Sequence, residues 1–307
     1  MITFPPYLKK GATIGMVAPA GYMALEKMQA CIAALEDWGY NVVLGATTQS
    51  NSVNYFSGTD EERLSDLQAM LDDENIHAIL CARGGYGVSR IVDDLSFKKF
   101  KKNPKWIVGF SDITVLHAHL LANYKIASLH APMAAAFNED AFHNPYIQSL
   151  KDALEGKLAQ YECSGHAFNH KGEATGVLVG GNLCLLAHTL GTDSEPGTKD
   201  KILFLEDVGE YLYNIDRMLL QLKRSGKLKK LAGLIIGGFT DSKDTERPFG
   251  KTAYEIIYEQ VKAYDFPICF GFPVSHEKEN YALKVGGTYH LTVSDREVIL
   301  QEKNHPA

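Results

Sequence analysis

The stretch KWIVGFSDITVLHAHLL, residues 105–121, joins a short apolar run to apolar residues at helical spacing, with a serine between them. The run before Gly109 predicts a buried β-strand, and the residues after Ser111 predict a helix. Further strand-like runs, each next to a helical pattern, lie at Thr13–Val17, Asn41–Leu44, residues 76–82 and residues 125–132. Because these strands are almost continuously apolar, we predict a parallel sheet with helices on both faces.

The second half of the chain resumes this alternation after a polar interruption between about residues 134 and 172. We therefore predict an N-terminal α/β domain over residues 1–150, a linker over 151–172 and a smaller C-terminal α/β domain over 173–307. Strands are expected in the C-terminal part at GVLVGGNL (176–183), KILFLEDVGE (201–210), LAGLIIGGF (231–239) and PICFGFPVSH (267–276), followed by a hairpin with Gly286-Gly287 as its turn.

The composition excludes several classes of protein. The 307 residues are 45% hydrophobic and carry a formal net charge of −6, without a basic block that would predict nucleic-acid binding. The sequence contains no run of about 18 apolar residues, so no transmembrane helix is predicted. The glycine-broken run near the N-terminus is interpreted as a strand, not as a secretory signal. Five cysteines without a CxxC pair are typical of reduced thiols. We expect a cytoplasmic protein that binds neither nucleic acid nor membrane.

Ser111 stands where a reactive serine would be presented to a substrate. A sharp turn from strand to helix holds the hydroxyl away from its own backbone and places N–H groups near a developing oxyanion. Gly109 would relieve crowding at the turn, and Asp112 would donate its N–H. The pattern G-x-S-x-G is only half matched, because Ile113 replaces the second glycine. On local sequence alone, a serine that merely caps the helix is the alternative.

A nucleophilic serine needs a base and a carboxylate that orients the base. Glu206 and His276 are the candidates, because each follows an apolar strand, where parallel sheets place functional groups. The alternative for Glu206 is an exposed loop carboxylate. His117, in the helix after Ser111, is a rival base, although a hydrogen-bonded helix residue is its more ordinary role.

The segment CARGGYG, residues 81–87, is a second candidate for chemistry. Glycines after a buried strand let the backbone approach a ligand closely. No G-K-[ST] follows this segment and no G-x-G-x-x-G is present, so a nucleotide-binding loop is the weaker interpretation. An oxyanion hole fits better, with the N–H of Gly85 complementing the N–H of Asp112.

Six motifs in this order, RGGYG, GFSDIT, LHAPM, LVGGNL, FLEDVGE…IDRML and GFPVSH, resemble the LD-carboxypeptidase family of serine peptidases. That family includes murein tetrapeptide carboxypeptidases and microcin C immunity peptidases. The similarity spans nearly the whole chain, and six ordered motifs are far more specific than any one of them. One departure is Ala131 in LHAPM, where glycine is expected, which bears on fine substrate preference and not on the reaction.

The resemblance implies an N-terminal domain similar to glutamine-amidotransferase-like folds and a smaller C-terminal α/β domain. It implies a homodimer, no metal and no organic cofactor. The nucleophile would come from one domain and its two partners from the other. The site residues that it implies are the triad Ser111, Glu206 and His276, the oxyanion donors Gly85 and Asp112, and the substrate contacts Arg83 and Asn182.

The activity implied by the resemblance is that of an L,D-carboxypeptidase, which releases the terminal D-alanine from a murein tetrapeptide in peptidoglycan recycling. Its partner would be a murein-derived peptide. One alternative keeps the chemistry but changes the substrate: hydrolysis of a microcin C-like peptidyl-nucleotide, which would confer antibiotic immunity. An alternative of another class is a non-catalytic ligand-binding module with the same two domains.

Overall fold

The computed structural model describes residues 1–137 and 144–304. The chain forms two compact units: Met1–Lys157 with Tyr281–Lys284, and Leu158–Asn280 with Val285–Ala307. Two predicted boundaries therefore differ from the structure. The segment predicted as a linker, 151–172, contains the end of a helix and a complete strand, and a short C-terminal segment belongs to the first unit.

The N-terminal unit is built on a six-stranded sheet. Its strands are β1 (Thr13–Val17), β2 (Asn41–Leu44), β3 (Ala78–Cys81), β4 (Trp106–Gly109), β5 (Ser128–His130) and β11 (Leu283–Val285), in the order β11-β5-β4-β3-β1-β2. The pairs β1–β2, β1–β3, β3–β4 and β4–β5 are parallel, which confirms the predicted parallel sheet. The order β2-β1-β3-β4-β5 is that of a doubly wound sheet, in which ligands bind beyond the carboxyl ends of the strands where the winding reverses.

The helices of this unit are α1 (Gln29–Asp37), α2 (Asp60–Asp72), α3 (Lys98–Lys102), α4 (Thr114–His119) and α5 (Pro145–Leu154). A capping box opens α2: the Thr59 hydroxyl accepts from the Glu62 N–H, and the Glu62 carboxylate accepts from the Thr59 N–H. Every residue of β3 and β4 is buried. Because such an interior is close-packed, the carboxyl ends of β3 and β4 are held in place, and so are the first residues of the loops that follow them.

The C-terminal unit contains a seven-stranded mixed sheet in the order β10-β9-β8-β7-β12-β13-β6. Its strands are β6 (Gln160–Ser164), β7 (Gly172–Asn182), β8 (Lys201–Val208), β9 (Gly233–Thr240), β10 (Ile268–Phe270), β12 (Thr288–Val293) and β13 (Glu297–Glu302). Strands β7 to β10 are parallel, whereas β12 and β13 add antiparallel pairs. Its helices are α6 (Leu183–His188), α7 (Leu212–Arg224) and α8 (Ala253–Val261).

A terminal hairpin is present as predicted, but Gly286-Gly287 do not form its turn. The antiparallel hairpin is formed by β12 and β13, and the chain reverses between Val293 and Glu297. Gly286-Gly287 instead separate β11 from β12, which belong to different sheets. Within residues 1–137 and 144–304, no helix combines the length and the apolar character needed to cross a bilayer.

Candidate active site

Ser111 lies immediately beyond the carboxyl end of β4, at the start of a 3₁₀ turn that leads into α4. Its φ of 61° is in the left-handed region, which is uncommon for a residue with a side chain. Ser111 is not a helix cap, because the N-cap positions of the turn and of α4 are Phe110 and Ile113. The turn therefore has the strained geometry of a nucleophile elbow, despite the missing second glycine.

The loop that follows β3, residues 82–88 and hereafter the glycine loop, passes directly beside Ser111. A Cβ built on Gly84 would lie 2.8 Å from Ser111 Cβ, 3.1 Å from Ser111 Oγ and 3.3 Å from the Asp112 nitrogen. Only glycine permits this approach. The N–H of Gly21, in the loop after β1, donates to the Gly84 carbonyl at 3.0 Å. The loops after β1 and β3 thus meet where the winding of the sheet reverses.

Asp112 connects the turn at Ser111 to the glycine loop. Its side chain is buried, and Oδ2 accepts the Val88 N–H at 2.8 Å. Burial raises the pKa of this carboxyl to about 6, although the Val88 N–H and the charge of Arg63 oppose the rise. The side chain therefore has a structural role, separate from the oxyanion role predicted for the backbone N–H.

Glu206 and His276 form a hydrogen-bonded pair within the C-terminal unit. Glu206 lies near the carboxyl end of β8 and its side chain is 0% exposed, so it is not an exposed loop carboxylate; the His276 side chain, after β10, is 16% exposed. His276 Nδ1 lies 2.6 Å from Glu206 Oε2. Because an ionised carboxylate only accepts hydrogen bonds, Nδ1 carries the proton, and the lone pair of the neutral ring is on Nε2.

The electrostatics of this pair favour a base. Burial alone would lower the pKa of His276, but the hydrogen bond to Glu206 and the charges of Glu206 and Asp207 outweigh it, so the pKa is raised. The buried carboxylate both orients the ring and stabilises its protonated form, which is the function of the third member of a serine hydrolase triad.

Comparison with known proteins identifies the family of the chain. Residues 14–131 match the LD-carboxypeptidase N-terminal domain, and residues 175–291 match the LD-carboxypeptidase C-terminal domain. The chain belongs to the LD-carboxypeptidase family. The predicted family membership is thereby confirmed.

Several members of the LD-carboxypeptidase family resemble the chain over almost its whole length. A probable murein peptide carboxypeptidase of Bacillus subtilis is 34% identical, over 97% of this chain and 94% of its own length. The murein tetrapeptide carboxypeptidase of Pseudomonas aeruginosa is 30% identical, over 90% of this chain and 91% of its own. The crystal structure of muramoyltetrapeptide carboxypeptidase from Oxalobacter formigenes superposes with a TM-score of 0.85 at 30% identity, covering 96% of this chain and 100% of the other.

A more distant solved structure shares the fold. The microcin C7 self immunity protein in complex with aspartyl sulfamoyl adenosine has a TM-score of 0.85 at 22% identity, over 97% of this chain and 98% of its own. At that identity, the similarity shows the fold alone. The two-unit α/β architecture of the LD-carboxypeptidase family is therefore present here.

In this member of the LD-carboxypeptidase family, the two predicted substrate contacts lie in contrasting surroundings. Arg83 is exposed on the glycine loop, and its Nη1 donates to the Tyr22 carbonyl at 2.6 Å. Asn182 is buried at the end of β7: its Nδ2 donates to Asp207 Oδ1 at 2.7 Å, and its Oδ1 accepts the Leu185 N–H at 3.2 Å. Both ends of the Asn182 amide are thus used inside the C-terminal unit, and its oxygen caps α6.

Asp207 is a site residue that sequence reasoning missed. Burial and the neighbouring Glu206 charge raise the pKa of its carboxyl to about 7, opposed by hydrogen bonds from Val208 and Asn182. Its Oδ2 also accepts the Cys184 N–H at 3.0 Å. The dipeptide Glu206-Asp207 thus gives one carboxylate to the histidine and the other to the start of α6. The adjacent acidic letters in the sequence were the only signal.

His117, the rival base, has both ring nitrogens engaged in the N-terminal unit. Its Nε2–H donates to the Gly109 carbonyl at 2.8 Å, so the Nδ1 of the neutral ring accepts from the Ser128 hydroxyl at 2.9 Å. Burial lowers its pKa to about 4, despite the bond to Gly109. His117 thus has the more ordinary role of a hydrogen-bonded helix residue.

The structure thus assembles two parts of the predicted site separately. Ser111, Asp112 and the glycine loop lie together in the N-terminal unit, and Glu206 and His276 lie together in the C-terminal unit. Among the residues that the structure describes, no group of three or more His, Cys, Asp or Glu side chains is placed to hold a metal ion.

Proposed function

We propose that this chain is a serine-type L,D-carboxypeptidase that releases the terminal D-alanine of a murein tetrapeptide in peptidoglycan recycling. The observation that carries the proposal is the 2.6 Å hydrogen bond between His276 and the buried Glu206, in a member of the LD-carboxypeptidase family. The names of the relatives from Bacillus, Pseudomonas and Oxalobacter supply the substrate class.

In the proposed first step, His276 Nε2 removes the Ser111 hydroxyl proton as Ser111 Oγ attacks the carbonyl carbon of the L-centred residue. Glu206 keeps the proton of the neutral ring on Nδ1 and stabilises the imidazolium that forms. The tetrahedral intermediate then breaks its C–N bond. His276 returns the proton to the leaving amine of D-alanine, and an ester to Ser111 remains.

The N–H groups of Gly85 and Asp112 are proposed to stabilise the oxyanion. The support is the close approach of Gly84 to Ser111 Oγ and to the Asp112 nitrogen. Loss of one such donor lowers the rate by about 10²–10³-fold in serine hydrolases. Water, activated by His276, then hydrolyses the ester and regenerates the Ser111 hydroxyl. The steps use neither a metal nor an organic cofactor.

Substrate contacts and assembly are part of the same proposal. The exposed guanidinium of Arg83 suits the terminal carboxylate of the peptide, because the planar fork of arginine binds carboxylates in a bidentate manner. Asn182 is the weaker candidate, since its amide already bonds within the protein. A homodimer, a cytoplasmic location and a glutamine-amidotransferase-like N-terminal domain stay predictions; light scattering tests the first.

The test is product analysis on two tetrapeptides that differ only in their last bond, one L,D and one D,D. The wild-type enzyme should release D-alanine from the L,D peptide alone. Ser111→Ala should reduce that rate by at least about 10⁴-fold while keeping the far-UV circular dichroism of the wild type. An unchanged rate in the Ser111 variant, or release from the D,D peptide alone, would contradict the proposal.

Two further measurements separate the alternatives. An aminoacyl sulfamoyl adenylate offered in parallel tests the peptidyl-nucleotide substrate, which is favoured if it is hydrolysed and the tetrapeptide is not. Labelling of the wild type, but not of Ser111→Ala, by a fluorophosphonate shows a reactive serine. The non-catalytic module predicts neither labelling nor turnover.

A further inference from the structure

Arg63 is a buried cation next to the proposed oxyanion hole. It lies in the first turn of α2, and its side chain is 0% exposed. Its Nη1 donates to the Pro19 carbonyl at 2.6 Å and to the Gly87 carbonyl at 3.0 Å. Nη2 pairs with Asp60, and the guanidinium lies 4.8 Å from the centre of the Phe56 ring. An arginine is buried in this way only where several partners compensate its desolvation.

The two carbonyls belong to the two loops that meet at the reversal of the sheet winding. Pro19 lies in the loop after β1, and Gly87 lies in the glycine loop after β3. The fit around Gly87 is close: a Cβ added there would lie 2.7 Å from Arg63 Nη1 and 3.1 Å from Ala20 Cα. A single guanidinium therefore joins both loops, which the two donors of Nη1 make possible.

The glycine loop is held on both sides of Gly85. Before it, the Gly84 carbonyl accepts the Gly21 N–H at 3.0 Å. After it, Arg63 holds the Gly87 carbonyl, and the Asp112 carboxylate holds the Val88 N–H at 2.8 Å. The Gly85 N–H shares its planar peptide group with the Gly84 carbonyl, so the first bond orients it directly, and the other two hold the chain that follows. Such preorganisation is what an oxyanion hole requires, because a donor that must reorient during the reaction loses much of its effect.

We infer that Arg63 is a positioning residue for the proposed reaction: by binding the Pro19 and Gly87 carbonyls, it fixes the glycine loop so that the Gly85 N–H points at the oxyanion. The inference rests on the proposed function. Arg63 does not touch the substrate. It acts on the transition state through the loop, so its removal should lower kcat more than it changes KM.

The test compares Arg63→Met with a matched control, Arg90→Met. Arg90 pairs with the same carboxylate of Asp60 at 2.6 Å and lies over the same Phe56 ring at 5.8 Å, but its side chain is 47% exposed. Its bond to the glycine loop goes to the side chain of Tyr86, whereas Arg63 binds a backbone carbonyl of that loop. Arg63→Met should lower kcat for D-alanine release by about 10–100-fold with KM within about threefold. Arg90→Met should change both by less than about threefold.

A tetrahedral inhibitor distinguishes positioning from a general loss of structure. The affinity of a peptide boronic acid, which becomes tetrahedral on Ser111, should fall in Arg63→Met by the same factor as kcat. If Arg63→Met does not fold, Arg63→Lys replaces it, because lysine keeps the positive charge but lacks the planar guanidinium. The same loss of kcat with little change in KM is expected from Arg63→Lys. Full kcat in a folded Arg63 variant, or equal losses in the Arg63 and Arg90 variants, would overturn the inference.

Fluorophosphonate labelling separates this inference from the choice of substrate. The labelling rate of Ser111 depends on the oxyanion hole but not on the peptide, and it should fall about 10–100-fold in Arg63→Met. If the wild type is labelled but releases no D-alanine, the proposed substrate is wrong and the labelling rates still decide the role of Arg63. Equal labelling rates in the wild type and the Arg63 variant would refute that role.

Discussion

Replacing Glu206 by glutamine tests the orientation of the base directly. The change is nearly isosteric, but the amide offers an N–H as well as an oxygen to His276 Nδ1, now 2.6 Å from the Glu206 carboxylate. An amide N–H facing Nδ1 moves the ring proton to Nε2, which can then no longer accept the serine proton. The corresponding change in a serine protease triad lowers kcat by about 10⁴-fold. We expect a loss of about 10³–10⁴-fold here, equivalent to about 4–5.5 kcal/mol in the activation barrier.

The same variant should also move the pH profile. In the wild type the neutral ring is the base, so kcat/KM falls as the pH drops through the raised pKa of His276. Glu206→Gln removes the charge and the charge-assisted hydrogen bond that raise this pKa, while the burial that lowers it remains. In the plot of kcat/KM against pH, the acidic limb of the variant should therefore lie at lower pH and its plateau should be lower than in the wild type. Steady-state kinetics on the L,D tetrapeptide between about pH 5 and 9 measures both effects.

Glu210→Gln is the matched control. Glu210 lies four residues further along the chain, is half-buried, and its Oε2 accepts from the Asn214 amide at 3.1 Å. The same substitution there should leave kcat within about threefold. A Glu206→Gln enzyme within tenfold of the wild type, with an unmoved acidic limb, would refute the assignment of Glu206 as the orienting carboxylate.

Three further substitutions test the N-terminal unit. Gly84→Ala places a methyl group 3.1 Å from Ser111 Oγ and should lower kcat by at least about 10²-fold in the D-alanine assay, whereas Gly197→Ala, with only the flexible Lys201 Nζ at 3.7 Å, should not. His117→Leu removes two buried hydrogen bonds and should lower the free energy of unfolding in urea by about 1–3 kcal/mol. Asp112→Asn should flatten the pH dependence of the free energy of unfolding. Because burial raises the pKa of Asp112 to about 6, the folded state keeps the carboxyl proton to a higher pH than the unfolded chain does. In the wild type, the contribution of Asp112 to the free energy of unfolding therefore declines by up to about 3 kcal/mol as the pH rises from about 4 to 7.

Local pattern was enough to predict strands β1 to β5 and the turn at Ser111. Thr13–Val17 and Asn41–Leu44 are strands with the predicted bounds, since short β-branched and apolar runs between turn residues have few other structures open to them. The left-handed backbone conformation of Ser111 is consistent with the predicted sharp turn from strand to helix. Glu206 and His276 were candidates because each was expected just past an apolar strand; the structure has Glu206 inside β8, near its carboxyl end, and His276 after β10.

Contacts that depend on tertiary structure were not predictable from local pattern. Arg63 stands among charged residues in a sequence typical of an exposed helix face, and only the meeting of two distant loops makes it a buried residue. The predicted linker failed for a related reason: polar letters between 151 and 172 include strand β6, whose partner β13 lies more than a hundred residues away. Asp207 was missed because adjacent strand residues point to opposite faces, and sequence does not show what each face meets.

Strand β11 has a consequence for synthesis of the protein on the ribosome. Leu283–Val285 supply the outermost strand beside β5 in the first sheet, yet they are translated about 150 residues after Ser128–His130. At about 5–20 residues per second, the nascent β5 edge waits roughly 8–30 s for its neighbour. During that interval its backbone N–H and C=O groups are open to pairing with another chain. The first sheet is therefore completed only when translation is nearly finished.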